Sequence, residues 1–239
     1  MARGWAGSNS FFDASAQWQK PAREPGRWPL VRKRHPLQLG FCFFLLLLPA
    51  FVHAQTDARA LVQEVQTASY PELKDARIEV KTFRGESDYF QSRFSFGRFL
   101  TGRRMRYVVY VNPAIYDKNC PAAARRAIVA HELAHILYYR QRNRLQLLGL
   151  ARLAGANFTA KFERGADLEA LARGYGEGLK QYRVWLYQNI PPRKLAAKRR
   201  DYFSPEEIDA LLSALQTRPA LLDYWRKHPP RKLAEIRKS

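Results

Sequence analysis

Two histidines and a glutamate near the middle of the chain, in His131-Glu132-Leu133-Ala134-His135, have the spacing for metal chemistry. On a helix, four residues advance about 400°, so both imidazoles leave one face a single turn apart, which suits two bonds to one tetrahedral ion. Glu132 projects beside them, poorly placed as a third ligand but well placed to hold and deprotonate a water that the ion activates. The rival reading is a surface helix with two solvated histidines. Ile128-Val129-Ala130 before the motif and Ile136-Leu137 after it are apolar, which fits a buried helix better.

A catalytic ion needs a third protein ligand, and few residues compete for the role. Two cysteines, Cys42 and Cys120, exclude a four-cysteine site, and the remaining histidines are His35, His53 and His228. The metzincin spacing would need glycine at 138 and histidine at 141, where Tyr138 and Gln141 stand, and a methionine turn is impossible with only Met1 and Met105. The third ligand is therefore His228 or a downstream carboxylate. Glu163 and Asp167 are the best carboxylates: i and i+4 on one helix face, they repel by a few tenths of a kcal/mol, which implies a cation nearby. The bland alternative pairs Arg164 with Asp167 and leaves Glu163 solvated.

These side chains need a frame. Arg77 to Phe83, Tyr89 to Phe96 and Arg106 to Val111 alternate or are rich in β-branched and aromatic residues, and predict three strands of a small antiparallel sheet. After Pro121 comes a helix of about 20 residues with no interior breaker, carrying the histidines. A second helix is expected over Ala160 to Tyr187, where Gly165, Ala166 and Ala170 would allow close approach to the first. Ser204-Pro205-Glu206-Glu207 is a capping box that opens a third helix, Pro205 to Gln216. Short helical periodicity covers Asp57 to Gln66, and Pro71 to Asp75 reads as a turn. The expected class is α+β: a small, mostly antiparallel sheet packed against the histidine helix and a second, ligand-bearing helix.

With these residues in view, the chain resembles the gluzincin metallopeptidases, most nearly the HtpX-like and BepA-like branch without its transmembrane or repeat regions. There H-E-x-x-H is followed a few dozen residues later by E-x-x-A-D-x-x-A, which stands here as Glu163, Ala166, Asp167 and Ala170. The resemblance covers about residues 105 to 190. It implies one zinc ion held by His131, His135 and Glu163, with Glu132 as general base and Asp167 orienting a ligand imidazole. It also implies a zincin-like domain over 55–190 that hydrolyses peptide bonds in a protein or peptide substrate. A donor to the developing oxyanion is expected among Tyr175, Tyr182, Tyr187 and His228, and Tyr89 to Phe96 is the expected sheet edge for an extended substrate.

The rest of the chain bears on location. Leu37 to Val52 is an apolar run of 16 residues after Arg32-Lys33-Arg34, and Val52-His53-Ala54 has the form of a cleavage site. Residues 37–54 are thus expected to be a signal peptide, too short and too interrupted by Gly40 and Pro49 for a span of about 20 residues. The preceding 36 residues are an atypical extension, and a start at Val31 would give the leader ordinary proportions. Cleavage after Ala54 would remove seven basic and two acidic residues from a net charge of +20, leaving +15. The expected location is periplasmic or secreted, with Cys120 the sole cysteine. The basic residues, dense at Arg98 to Arg106, Arg193 to Arg200 and Arg226 to Lys238, make residues 191–239 a basic helical region. The plain reading is a solvated basic face; as a partner, an anionic membrane surface or acidic envelope polymer is expected ahead of nucleic acid. A non-catalytic, basic envelope-binding protein on a metallopeptidase scaffold is the alternative from another class.

Overall fold

A computed structural model describes residues 41–95, 98, 101, 105–143 and 156–238, with side chains from residue 55 onward except those of 156 and 157. The expectations for the N-terminal extension, the start of the apolar run and most of the Arg98 to Arg106 cluster lie outside the described residues. Residues Leu47–Ser239 make up one compact unit, which contains both histidines of the motif and the two candidate carboxylates. The first helix, α1 (Phe41–Ser69), continues without interruption past Ala54 and contains the short helix expected at Asp57 to Gln66. Among the described residues no helix is long and apolar enough to cross a membrane.

The three alternating segments form β1 (Ile78–Thr82), β2 (Phe90–Phe94) and β3 (Tyr107–Val111). Their order is β1-β3-β2. β2 pairs antiparallel with β3, from Phe90 opposite Val111 to Phe94 opposite Tyr107, as expected. β1 pairs parallel with β3, from Ile78 opposite Tyr107 to Thr82 opposite Val111, so the sheet is mixed. The reason lies in β3: Tyr107-Val108-Val109-Tyr110-Val111 is the most apolar and β-branched of the three and takes the centre, where Tyr107, Val109 and Val111 are buried. β1 and β2 are left as edges.

After a short turn of helix, α2 (Ala114–Asp117), comes α3 (Ala122–Arg140), which carries the histidine motif and is buried on every side from Ala127 to Leu137. It is the central element: β2 packs on it, and so do both following helices. The single helix expected over Ala160 to Tyr187 is two, α4 (Ala156–Ala170) and α5 (Gly176–Asn189), joined by a wide turn at Leu171–Tyr175. Gly174 makes the break with a φ of +88°, a conformation that side-chain-bearing residues rarely adopt. The close approach also differs from expectation. A Cβ on Gly165 would meet nothing within 4 Å, whereas one on Gly178 would lie 2.5 Å from the Ala123 carbonyl oxygen, so the glycine that sets a close approach to α3 is Gly178 of α5, not Gly165 of α4.

The C-terminal region folds as α6 (Pro192–Asp201), α7 (Pro205–Thr217), α8 (Leu221–Lys227) and α9 (Leu233–Lys238). The capping box is present as expected, with Ser204 accepting from the Glu207 N–H and Glu207 accepting from the Ser204 N–H. Phe203, Ile208, Leu211, Trp225 and Ile236 bury themselves with Ala127, Leu168, Leu171 and Leu179. Each such side chain contributes about 1.5–3 kcal/mol relative to exposure. Arg164 of α4 is part of this join and makes no ion pair with Asp167. It donates to Glu207 Oε1 and to the Pro230 carbonyl, both at 3.1 Å, and lies over the Phe203 ring.

Candidate metal centre

Helix α3 delivers the two imidazoles and α4 delivers the carboxylate. Their three ligand atoms converge: His131 Nε2 is 3.2 Å from Glu163 Oε2, His135 Nε2 is 3.1 Å from the same oxygen, and the two Nε2 atoms are 3.1 Å apart. All three residues are buried, and together they could hold a metal ion. Ligand atoms about 2.0–2.1 Å from a tetrahedral ion stand about 3.4 Å from one another, close to the spacing found. Helical spacing alone makes the pair of histidines. The third corner depends on how α4 packs on α3, with the Phe162 ring stacked on His135 at 4.2 Å.

Lone pairs decide what this cluster requires. Asp167 Oδ1 lies 2.7 Å from His131 Nδ1, and Asp167 also accepts from Arg183 Nη2 at 2.7 Å and from the Phe203 N–H at 3.1 Å. An ionised carboxylate only accepts, so the imidazole proton sits on Nδ1, and neutral His131 then presents a lone pair at Nε2. That lone pair faces the Glu163 oxygen and the other imidazole. Such a contact inside a protein is favourable only with positive charge between the atoms, which a metal ion or a proton supplies.

The electrostatics agree. Burial alone would lower the His131 pKa, but the hydrogen bond and charge of Asp167, then Glu163, outweigh it and raise the value to about 9. Burial would raise Glu163, yet His135 and His131 hold it well below the usual carboxylate range. Asp167 is likewise held low against its burial, first by Arg183 and then by His131. Glu132, next to His131 on the same helix, is 5% exposed and makes no hydrogen bond or ion pair among the described residues. His135 Nδ1 is also buried without a hydrogen-bond partner.

Among the described residues, no hydrogen bond or ring contact joins the four expected oxyanion donors to this cluster. The Tyr175 hydroxyl is 2.8 Å from Ser69 Oγ, Tyr182 is buried against Trp185 and Arg183, and Tyr187 lies under Arg199 with its hydroxyl unpartnered. His228 is exposed beside Tyr224. The tyrosine that does reach the site is Tyr202, at the end of α6. Its ring centroid is 5.9 Å from that of His131, with Arg183 at 4.4 Å and Lys198 at 4.9 Å from the ring. Burial, then the charges of Glu163 and Asp88, push its pKa well above the ordinary tyrosine value. Neither Tyr202 nor Arg183 belongs to a local motif; both reach the site by tertiary packing. Cys120 is buried, and burial pushes its thiol up to about 12 against the opposing charge of Arg125.

Comparison with protein-family models, with curated proteins and with solved structures gives no match for this chain.

Proposed function

We propose that this chain is an exported, zinc-dependent metallopeptidase of the gluzincin type. The observation that carries the reading is the convergence of His131, His135 and Glu163 at mutual distances of 3.1–3.2 Å with the unpartnered carboxylate of Glu132 on the same helix. Two imidazoles and one carboxylate are a common donor set for catalytic zinc. When bound, the ion supplies Lewis acidity to a water and to the scissile carbonyl.

The protein's own residues then have distinct tasks. Glu132 accepts the proton of the attacking water and later returns it to the leaving amine. Asp167 fixes the ring and tautomer of His131, and Arg183 and the Phe203 N–H fix Asp167 in turn. Tyr202, half-buried and with no side-chain hydrogen bond among the described residues, takes the role sought among the other tyrosines, donating its O–H to the carbonyl oxygen as charge develops there. The free edge of β2, packed on α3, is where an extended peptide would add as a further strand.

The test compares the full chain with E132Q and H131A for zinc content and for cleavage of an unstructured protein such as casein. E132Q should keep zinc and lose a factor of about 10²–10⁴ in turnover, the span of general acid–base contributions, while H131A should lose both. Equal cleavage by all three proteins, or zinc binding with no cleavage of any peptide, would transfer the assignment to the basic envelope-binding alternative.

A further inference from the structure

Arg183 is 1% exposed and stands deeper than any other arginine among the described residues. A guanidinium so placed costs several kcal/mol unless it is paired. Its ion pair is Asp167, with Nη2 2.7 Å from Oδ1. The same oxygen is 2.7 Å from His131 Nδ1, so Arg183 and a proposed metal ligand share one carboxylate atom. The remaining oxygen is taken by the Phe203 N–H at 3.1 Å. The guanidinium also lies 4.4 Å from the Tyr202 ring, and its Nε has no partner. Arg183 thus spans from α5 to the carboxylate that aims His131 and to the aromatic ring beside it.

We infer that Arg183 is a positioning residue of the metal centre. It orients Asp167 and shares its negative charge, and by doing so holds the His131 ring with its proton on Nδ1 and its Nε2 lone pair toward the ion. This rests on the proposed metal site and is independent of whether the substrate is a peptide. The competing account makes Arg183 a plug between α4 and α5 that stabilises the fold and leaves metal affinity alone. The two differ in how Arg183 and Asp167 combine. A plug acts by itself, whereas a residue acting through Asp167 has nothing left to do once that carboxylate is gone.

The experiment measures zinc affinity of the full chain by competition with a chromogenic chelator at fixed pH, for R183M, R183K, D167N and the double variant R183M/D167N. R183M should bind zinc about 10- to 100-fold more weakly, the usual effect of losing a partner that supports a ligand. R183K, which keeps the charge, should recover most of that loss, and the double variant should bind no more weakly than D167N alone. If R183M does not fold, R183Q takes its place in the same cycle. Wild-type affinity in R183M, or losses that multiply in the double variant, would overturn the inference. A wild-type chain that binds zinc with the expected cycle but cleaves nothing defeats the peptidase reading alone; one that binds no zinc defeats both.

Discussion

At the scale of residues, the proposed metal site predicts an exchange of a proton for a metal ion. Without metal, His131 carries a pKa raised to about 9, above its ordinary 6.5, because Asp167 and Glu163 outweigh its burial. A raised folded value means stability that is fully present below about 6.5 and is lost as pH climbs through about 9. Glu163 and Asp167 work in the other direction: their depressed values contribute stability above their ordinary pKa and lose it as pH falls toward the folded values. Metal binding requires the neutral imidazole, so it strengthens as the proton leaves. Thermal melts between pH 6 and 9.5 should therefore diverge. The chelator-treated protein should lose Tm across this range, and the increment gained on adding zinc should grow; parallel curves would show that His131 is not the titrating link. Replacing the proposed ligand itself, in E163A, should reduce zinc affinity by more than the roughly 10- to 100-fold that loss of a supporting partner costs.

At the scale of elements, Gly178 decides how α5 meets α3, and it and Gly165 of α4 predict opposite outcomes. At Gly178 a Cβ would sit 2.5 Å from the Ala123 carbonyl and 3.0 Å from the Ala127 Cβ, so G178A must push the helices apart and should cost about 1–3 kcal/mol. At Gly165 a Cβ has open space inside a helix, so G165A should stabilise by about 0.5–1 kcal/mol. Chemical denaturation of the two variants against the parent chain checks both signs. The same elements show what was legible in the sequence. Strands and the α3 helix follow from local periodicity, and their observed ends lie within a residue or two of expectation. The capping box at Ser204 was legible for the same reason, because all of its partners are three residues apart. The parallel β1–β3 pairing was not, since strand alternation is identical for either direction. The break at Gly174 was hidden among four glycines, any of which could end a helix, and only the packing selects one. Arg183 and Tyr202 were missed because an arginine on a helix reads as surface and a tyrosine beyond a helix end as packing; their roles come from partners 16 residues or more away in sequence.

At the scale of the whole molecule, the C-terminal region completes the site rather than decorating it. Asp167 takes a backbone N–H from Phe203, Arg164 is clamped between Glu207 and Pro230, and Lys198 pairs with Asp88 at 2.7 Å while Arg193 pairs with Glu86. Part of the large positive charge is thus engaged in internal ties between α6 and the segment joining β1 to β2. The segment that carries Tyr202 is fixed on both sides, by the Tyr202 N–H bond to the Lys198 carbonyl before it and by the Phe203 N–H bond and the Ser204 cap after it. Elsewhere, the Tyr70 hydroxyl donates to the Ala130 carbonyl at 2.6 Å, one residue before His131.

The depth of the three donors has a kinetic corollary. His131 is 1% exposed and His135 and Glu163 are each 5% exposed, so among the described residues little of the three donors faces bulk water. On the proposed reading, a chain that has closed without the ion would load it only through a local opening, whereas a chain that folds in its presence would capture it on the way. Zinc uptake by pre-folded apoprotein should accordingly be slow and nearly independent of zinc concentration, and refolding in dilute zinc should give the loaded protein at once. Uptake that accelerates in proportion to zinc would mean the door is already ajar.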